Sequence, residues 1–191
     1  MTKIATLAFG ILATIALSAP ILRANPVFTP MVTGLDEPWG IDFLPDGSLL
    51  ITEKDGRVIL VKDGQASVIA RLPDVADSGQ GGLLDVTVAR DFASSRTIFL
   101  SYSRKQRGGA GTTLATATLS ADGKRLENLK DIFEMSPGSS GGRHFGSRVV
   151  EATDGTLFMT IGDRGDRPAA QERSNHIGTI VRVNRDGSVP A

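Results

Sequence analysis

Three polar side chains lie in glycine-rich segments next to predicted strands: Gln80, His144 and Asp163. His144 directly precedes a predicted strand, and strand ends are rigid places to hold a reactive side chain. The unperturbed pKa of histidine lies nearest physiological pH, so an imidazole beside a carboxylate suits a general base. A carboxamide can donate to or accept from a hydroxylated substrate. The three residues are therefore candidates for proton transfer with such a substrate.

Each of these residues also has a purely structural interpretation. His144 stands next to Phe145, and a single histidine beside an aromatic residue can simply be packed or exposed. Gln80 is alternatively an exposed loop residue, and Asp163 a carboxylate that caps a turn. The position of each residue in the fold decides between its functional and its structural interpretation.

Two other features near His144 carry less weight. Residues 138–142 fit the pattern G-x-S-x-G, but a nucleophile elbow needs an apolar strand before it and a helix after it. Here Pro137 precedes the pattern and a predicted strand follows it, so no serine nucleophile is expected. His176, the second histidine of the chain, is interpreted as a solvated loop residue.

The pair Asp163 and Asp166 falls short of a calcium-binding loop. Arg164 separates the two carboxylates and Arg167 follows them, which favours ion pairing within the segment over cation binding. No residue of the chain is therefore assigned as a metal ligand.

Short strands joined by tight turns dominate the sequence after residue 37. Asp-Gly pairs between alternating apolar runs predict hairpins, and the 22 glycines and nine prolines interrupt every window long enough for a helix. Residues 104–111 are expected to be a basic, flexible connection. Predicted strands cover residues 38–43, 48–53, 57–62, 65–72, 83–89, 97–103, 112–120 and 128–134, and further strands follow His144.

The last part of the chain repeats the first. Residues 45–52 match residues 153–160 at an offset of 108, and residues 56–61 match residues 178–183 at an offset of 122. The difference places 14 additional residues between the second and third strands of the later unit.

Self-similar four-stranded units predict an all-β fold, a β-propeller with about three blades present and the ring incomplete. A small open β-sandwich of three meanders is the alternative, but it would leave two unprotected sheet edges. In a propeller, the loops that enter the first strand and join the second strand to the third gather at one end. Segments 77–82, 141–144 and 162–168 occupy such positions, which would bring Gln80, His144 and Asp163 together.

Residues 1–24 are predicted to be a signal peptide, because Lys3 precedes an apolar run that is too short to span a bilayer. The mature chain, residues 25–191, is expected in the periplasm or outside the cell and without a membrane anchor. Its 19 basic and 21 acidic residues give no electrostatic footprint for nucleic acid. With no cysteine, the fold must hold without disulfides.

Several ordered motifs resemble the soluble aldose sugar dehydrogenases that depend on pyrroloquinoline quinone, the glucose/sorbosone dehydrogenase family. The resemblance covers essentially the whole mature chain and implies a six-bladed propeller of roughly twice this length. The motifs are residues 35–47, residues 79–86 with Asp91-Phe92, residues 143–148 and residues 161–163.

The resemblance implies an exported enzyme that oxidises the anomeric carbon of an aldose to a lactone, with hydride transfer to pyrroloquinoline quinone and onward to an electron acceptor. It assigns His144 as the catalytic base for the C1 hydroxyl, and Gln80 and Asp163 to substrate binding. Some members carry an acidic residue before the histidine, where this chain has Arg143. The partner that orients His144 is therefore open, with Asp163 as a candidate.

The resemblance also implies calcium, but most ligands of the quinone and of Ca2+ are expected beyond residue 191. The cofactor-binding residues are thus unknown, and the polypeptide alone is expected to be inactive. Two other functions are kept open. One is a calcium-dependent, lactonase-like propeller hydrolase, and the other is a non-catalytic propeller used for binding, in which His144 is structural.

Overall fold

The computed structural model describes residues 26–191. The predicted signal peptide lies outside the described residues. The chain divides into two units, Met1–Pro30 and Met31–Ala191. Residues 26–30 of the first unit carry no regular secondary structure, and every strand belongs to the second unit. Among the described residues, no helix is long and apolar enough to cross a membrane.

The first sheet is an antiparallel meander in chain order. Its strands are β1 (Pro38–Phe43), β2 (Leu49–Glu53), β3 (Arg57–Lys62) and β4 (Gln65–Arg71). Gly47 and Gly56 take positive φ values of 84° and 99° in the turns before β2 and β3, a conformation that glycine adopts without strain. The predicted strands and turns of this unit are confirmed to within a residue at each end.

The second sheet is again a four-stranded meander, with β5 (Leu83–Val88), β6 (Thr97–Gln106), β7 (Gly109–Leu119) and β8 (Leu126–Glu134). A one-turn helix, α1 (Phe92–Ser95), joins β5 to β6 and was not predicted.

The flexible connection predicted for residues 104–111 is wrong. The β6–β7 ladder continues to the pair Gln106↔Gly109, so the connection is a two-residue turn. Long-range contacts hold the tip of this hairpin: Ala110 forms a β-bridge with Ser139, and the Gln106 amide donates to the Met135 carbonyl at 2.9 Å.

The third sheet contains β9 (Gly146–Glu151), β10 (Leu157–Ile161) and β11 (Ile180–Val183), in the order β11-β10-β9. The repeat detected in the sequence is confirmed, because the pairs Ile41↔Ile51 and Val149↔Met159 are equivalent under the offset of 108. The additional residues lie between β10 and β11 and include one 3-10 turn, Ala169–Gln171.

Two apolar cores join the three sheets face to face in chain order. The first core lies between the first and second sheets, and the second core lies between the second and third. Residues of β6 alternate between them: Leu100 enters the first core and Phe99 the second. This arrangement is the stacking of consecutive propeller blades.

A buried hydroxyl on the second strand of a sheet also links that sheet to the next. Thr52 in β2 accepts a hydrogen bond from the Gly40 N–H at 2.8 Å and donates to the Leu84 carbonyl in β5 at 2.6 Å. One side chain therefore satisfies backbone groups of two neighbouring sheets.

The same device recurs in the second sheet. Ser101 accepts from the Asp85 N–H at 3.2 Å and donates to the Ser147 carbonyl in the third sheet at 2.7 Å. Thr160 is the equivalent residue in β10, and it accepts from the Arg148 N–H at 3.0 Å. Within residues 26–191, the Thr160 hydroxyl has no acceptor for its own proton.

Two apolar sheet faces remain partly open. On the outer face of the first sheet, Val32 and Leu35 pack on the buried residues Leu49, Ile51 and Val61. A cavity of about 630 Å³ on the same face is also lined by the exposed side chains of Ile41 and Phe43. Trp39 lies on this face and is 51% exposed. The free face of the third sheet exposes Val150, Phe158 and Ile180.

Candidate active site

His144 lies in the loop that enters β9, two residues before the strand, in a left-handed conformation with φ of 54°. The backbone of Gly162, at the end of β10, passes so close that a Cβ at that position would come within 2.0 Å of the His144 carbonyl oxygen. Glycine at 162 is therefore required for the loop to approach the strand. The imidazole side chain remains half exposed.

The His144 imidazole contacts the carboxylate of Asp163. Nδ1 lies 2.6 Å from Oδ1, and the same oxygen accepts from the Gly165 N–H at 2.8 Å. The Gly165 N–H, and next the imidazole, hold the pKa of Asp163 below its usual value, so the carboxylate is ionised at neutral pH. A carboxylate at Nδ1 favours the tautomer that donates from Nδ1, which leaves Nε2 as a proton acceptor.

Gln80 joins the loop before β5 to the loop that carries His144. Its side-chain Oε1 accepts from the His144 N–H at 2.8 Å, and its own N–H donates to the Gly142 carbonyl at 2.8 Å. Gly79 lies so close to Gly142 that a Cβ would come within 2.3 Å of the carbonyl oxygen. The amino group of the Gln80 side chain makes no hydrogen bond to residues 26–191 and can still donate.

The structure thus brings His144 into direct contact with both Gln80 and Asp163 at one end of the second and third sheets. An ionised carboxylate, an oriented imidazole and a free amide donor can together hold a hydroxyl group and accept its proton.

Arg143 precedes His144 but takes no part in orienting it. Its guanidinium packs over Gly165, where a Cβ would come within 2.6 Å of the Arg143 Nε. Arg143 makes no ion pair with any carboxylate of residues 26–191. The carboxylate partner of the imidazole comes from Asp163 instead.

Arg164 was missed by the sequence analysis. It is only 2% exposed, although it lies between Asp163 and Gly165 in a turn. Its guanidinium donates to the carbonyls of Gly141 and Arg143 and lies over the Phe145 ring. Burial lowers the pKa of Arg164 to about 10, so the group remains charged at neutral pH. The sequence offers no signal that separates this arginine from the exposed ones around it.

Two predictions for the segment between β10 and β11 are wrong. Asp166 forms no ion pair within the described chain, because its carboxylate instead accepts from the Ala169 N–H at 3.2 Å and caps the 3-10 turn. His176 is half-buried rather than solvated: its Nδ1 accepts from the Ser136 N–H at 2.9 Å, and its ring lies 5.1 Å from that of Phe133. Ser140 is exposed and has no histidine hydrogen-bonded to it.

No group of three or more potential metal-binding side chains occurs among residues 26–191. No residue of the described chain is therefore assigned as a calcium ligand.

Comparison with known proteins gives consistent matches over most of the chain. Residues 35–191 match the family described as glucose / sorbosone dehydrogenase. Aldose sugar dehydrogenase YliI of Escherichia coli is 40% identical over 160 residues, which cover 82% of this chain and 43% of that protein.

Solved structures agree with the sequence match. The crystal structure of a glucose dehydrogenase superposes with a TM-score of 0.82 at 43% identity, covering 86% of this chain and 49% of the other. The pyrroloquinoline-quinone-bound form of an aldose sugar dehydrogenase from Streptomyces coelicolor gives a TM-score of 0.76 at 26% identity, covering 85% and 48%.

The chain spans about half the length of these relatives. The fold prediction is confirmed: the chain is all-β and forms about three blades of the six-bladed propeller family.

Proposed function

Since the chain belongs to the glucose/sorbosone dehydrogenase family, we propose that it supplies the catalytic base and part of the sugar site of an aldose sugar dehydrogenase that uses pyrroloquinoline quinone. The observation that carries the proposal is the contact between His144 Nδ1 and the ionised Asp163 carboxylate. This contact leaves Nε2 free at the open end of the sheets, where a sugar hydroxyl can reach it.

His144 acts as the general base in this proposal. When bound, the quinone supplies a two-electron acceptor for the hydrogen of C1. Nε2 takes the proton of the C1 hydroxyl as the C1–H bond breaks and the hydride leaves. The C–O bond becomes a carbonyl, and the cyclic aldose becomes a lactone.

Asp163 and Gln80 hold the reacting groups. Asp163 fixes the imidazole tautomer and stabilises the imidazolium that proton transfer produces. Its second oxygen, Oδ2, makes no hydrogen bond to the described residues and can accept from a sugar hydroxyl. Gln80 fixes the backbone of His144 through Oε1 and can donate to another sugar oxygen from its amino group.

A cofactor that carries carboxylates would find one positively charged side chain without a carboxylate partner in this site. The guanidinium of Arg143, which has no carboxylate partner among residues 26–191, is suited to hold such a group. No cluster of three or more carboxylate, histidine or cysteine side chains that could hold a metal ion occurs among residues 26–191, so no role is assigned to calcium on this part of the chain.

We further propose that the protein is exported, with residues 1–24 removed. The support is the apolar leader behind Lys3. Amino-terminal sequencing of the mature protein tests this proposal.

The decisive experiment uses the full-length protein loaded with pyrroloquinoline quinone and Ca2+ and measures dye reduction with a panel of aldoses. We expect reduction by the wild type and a loss of about 10²–10⁴ in kcat for His144→Gln, the range for removal of a general base. His176→Gln is the matched control, because His176 contacts neither Asp163 nor Gln80, and it should retain activity.

Failure of the verified holoprotein to reduce dye with any aldose would overturn the proposal. Lactone hydrolysis in its place would indicate the hydrolase, and sugar binding without turnover would indicate the binding module.

A further inference from the structure

Arg164 is a buried charge without a charged partner. It is 2% exposed, makes no ion pair within residues 26–191, and its Nε has no hydrogen-bond partner. The partly buried guanidinium groups of Arg57 and Arg185 instead each contact a buried carboxylate. Because an uncompensated buried charge is costly, Arg164 calls for an explanation in terms of what it contacts.

The contacts of Arg164 converge on the loop that carries His144. One arm of its guanidinium donates to the Gly141 carbonyl and the other to the Arg143 carbonyl. The face of the guanidinium stacks on Phe145, with Cζ 3.3 Å from the ring centroid. Three of the five residues from 141 to 145 are therefore held by one side chain.

The peptide unit between Arg143 and His144 is held at both ends. Its carbonyl accepts from Arg164, and its N–H donates to Gln80 Oε1. The orientation of this peptide plane sets the direction in which the His144 side chain leaves the backbone. His144 also has a positive φ, a backbone conformation that is uncommon for residues other than glycine and that the two anchors of its peptide unit help to hold.

We propose that Arg164 is a positioning residue, which fixes the His144 backbone so that the imidazole meets Asp163 and presents Nε2 to the substrate. The assignment of a catalytic consequence rests on the function proposed above. The structural part of the inference, that Arg164 holds the His144 peptide unit, stands on the contacts alone.

Arginine is the side chain that these contacts require. Its planar fork reaches two carbonyls at once, and its weakly hydrated face stacks on an aromatic ring. Lysine keeps the charge but has neither the fork nor the flat face. Arg164→Lys therefore removes the geometry and retains the charge.

The test compares the full-length holoproteins of wild type, Arg164→Lys and Arg173→Lys. Arg173 lies in the same segment between β10 and β11, is exposed and makes no side-chain hydrogen bond or ion pair in the described chain, so it is the matched control. For each protein, kcat and KM are measured with an aldose, and kcat is divided by the concentration of sites that titrate with quinone. Hydrogen–deuterium exchange is measured for residues 141–146.

We expect Arg164→Lys to lower kcat by about tenfold to a hundredfold with KM changed by less than about threefold, as for a misplaced catalytic group. Exchange of the His144 amide should become faster, because its peptide unit loses one of its two anchors. Arg173→Lys should match the wild type in both measurements.

A purely structural role predicts a different result. Arg164→Lys would then lower thermal stability and the fraction of loaded protein, while kcat per titrated site and the exchange of the His144 amide would match the wild type. That result would overturn the inference.

If Arg164→Lys does not fold, Phe145→Leu provides the second variant, since it removes only the ring on which the guanidinium stacks. It should show the same loss of kcat and faster exchange to a smaller degree, and unchanged values would contradict the inference.

Hydrogen–deuterium exchange also separates this inference from the proposed function. A wild type without dehydrogenase activity refutes the proposed function, whereas the exchange of Arg164→Lys still decides whether Arg164 holds the peptide unit.

Discussion

The carboxylate of Asp163 controls the imidazole of His144 through a single contact of 2.6 Å. The Gly165 N–H and the imidazole both favour the ionised carboxylate, so the pKa of Asp163 lies below its usual value. The charge that stabilises an imidazolium is thus present throughout the neutral range. Arg143, although adjacent in sequence, cannot replace it because it carries the opposite charge.

Asp163→Asn tests this coupling. Asparagine keeps the shape but loses the charge, and its amide can present a donor to Nδ1 and so favour the wrong tautomer. We expect kcat to fall by about 10–100-fold, as when the partner that orients a functional histidine is removed. Steady-state kinetics of the full-length holoprotein measure the effect, and Asp166→Asn, at a carboxylate that only caps a turn, is the control.

The same variant has a defined pH dependence of stability. A carboxyl group whose pKa is lowered by folding stabilises the fold fully above its unfolded pKa of about 3.9, and the contribution is lost as pH falls through the lower folded value. The difference in unfolding free energy between wild type and Asp163→Asn should therefore shrink as the solution is acidified below about pH 5. A difference that grows on acidification below about pH 5 would contradict the direction of the shift.

At the scale of the elements, the approach of β10 to the loop before β9 determines where His144 lies. Gly162 makes this approach possible, since any larger residue would meet the His144 carbonyl. The geometry of the candidate site therefore depends on a backbone contact as much as on the three side chains.

Gly162→Ala should push the His144 loop away from β10. We expect it to destabilise the protein by about 1–3 kcal/mol, the range for overpacking a close contact, and to lower kcat. Gly142→Ala is the control for the loop, because the nearest atom to its added Cβ lies 4.0 Å away. Urea unfolding of both variants distinguishes them, and equal stabilities would show that the backbone of residue 162 can yield.

The sequence could predict the elements and the members of the site, but not all of their contacts. The 108-residue offset aligns Thr52 with Thr160, and this alignment shows which loops share one end of the sheets. The sequence pattern did not predict the long-range contacts. Ser139 forms a β-bridge to the hairpin at residues 104–111, and the Ser136 N–H donates a hydrogen bond to His176. Arg164 donates to the carbonyl of Gly141, which lies 23 residues earlier in the chain. Such contacts depend on packed backbone positions that residue types do not encode locally.

For the molecule as a whole, hydroxyl groups between neighbouring sheets carry part of the cohesion. Thr52 and Ser101 each satisfy an N–H of their own sheet and a carbonyl of the next. Thr160 has the equivalent position in the third sheet and accepts from the equivalent N–H, that of Arg148. The free face around it also carries exposed Phe158 and Ile180, so it has the chemistry of a face that packs against another sheet.

Thr52→Val removes a hydroxyl that bonds to two sheets, and Thr160→Val removes one that bonds only to its own sheet within residues 26–191. Thr52→Val leaves a buried N–H and a buried carbonyl without partners, so we expect a loss of about 2–4 kcal/mol in unfolding free energy. In residues 26–191 alone, Thr160→Val should cost less, since only the Arg148 N–H loses a partner. In a full-length protein whose further sheet covers this face, the two losses should become similar, and denaturant unfolding of both lengths checks this.

The open face of the first sheet contains its own spectroscopic probe. Trp39 is the only tryptophan of the sequence, and half of its surface is in contact with solvent. Indole fluorescence shifts to shorter wavelength when water leaves the ring, so the emission of this one residue distinguishes a wet face from a covered one. Assembly of a closed ring can thus be followed in a cuvette without attaching a dye.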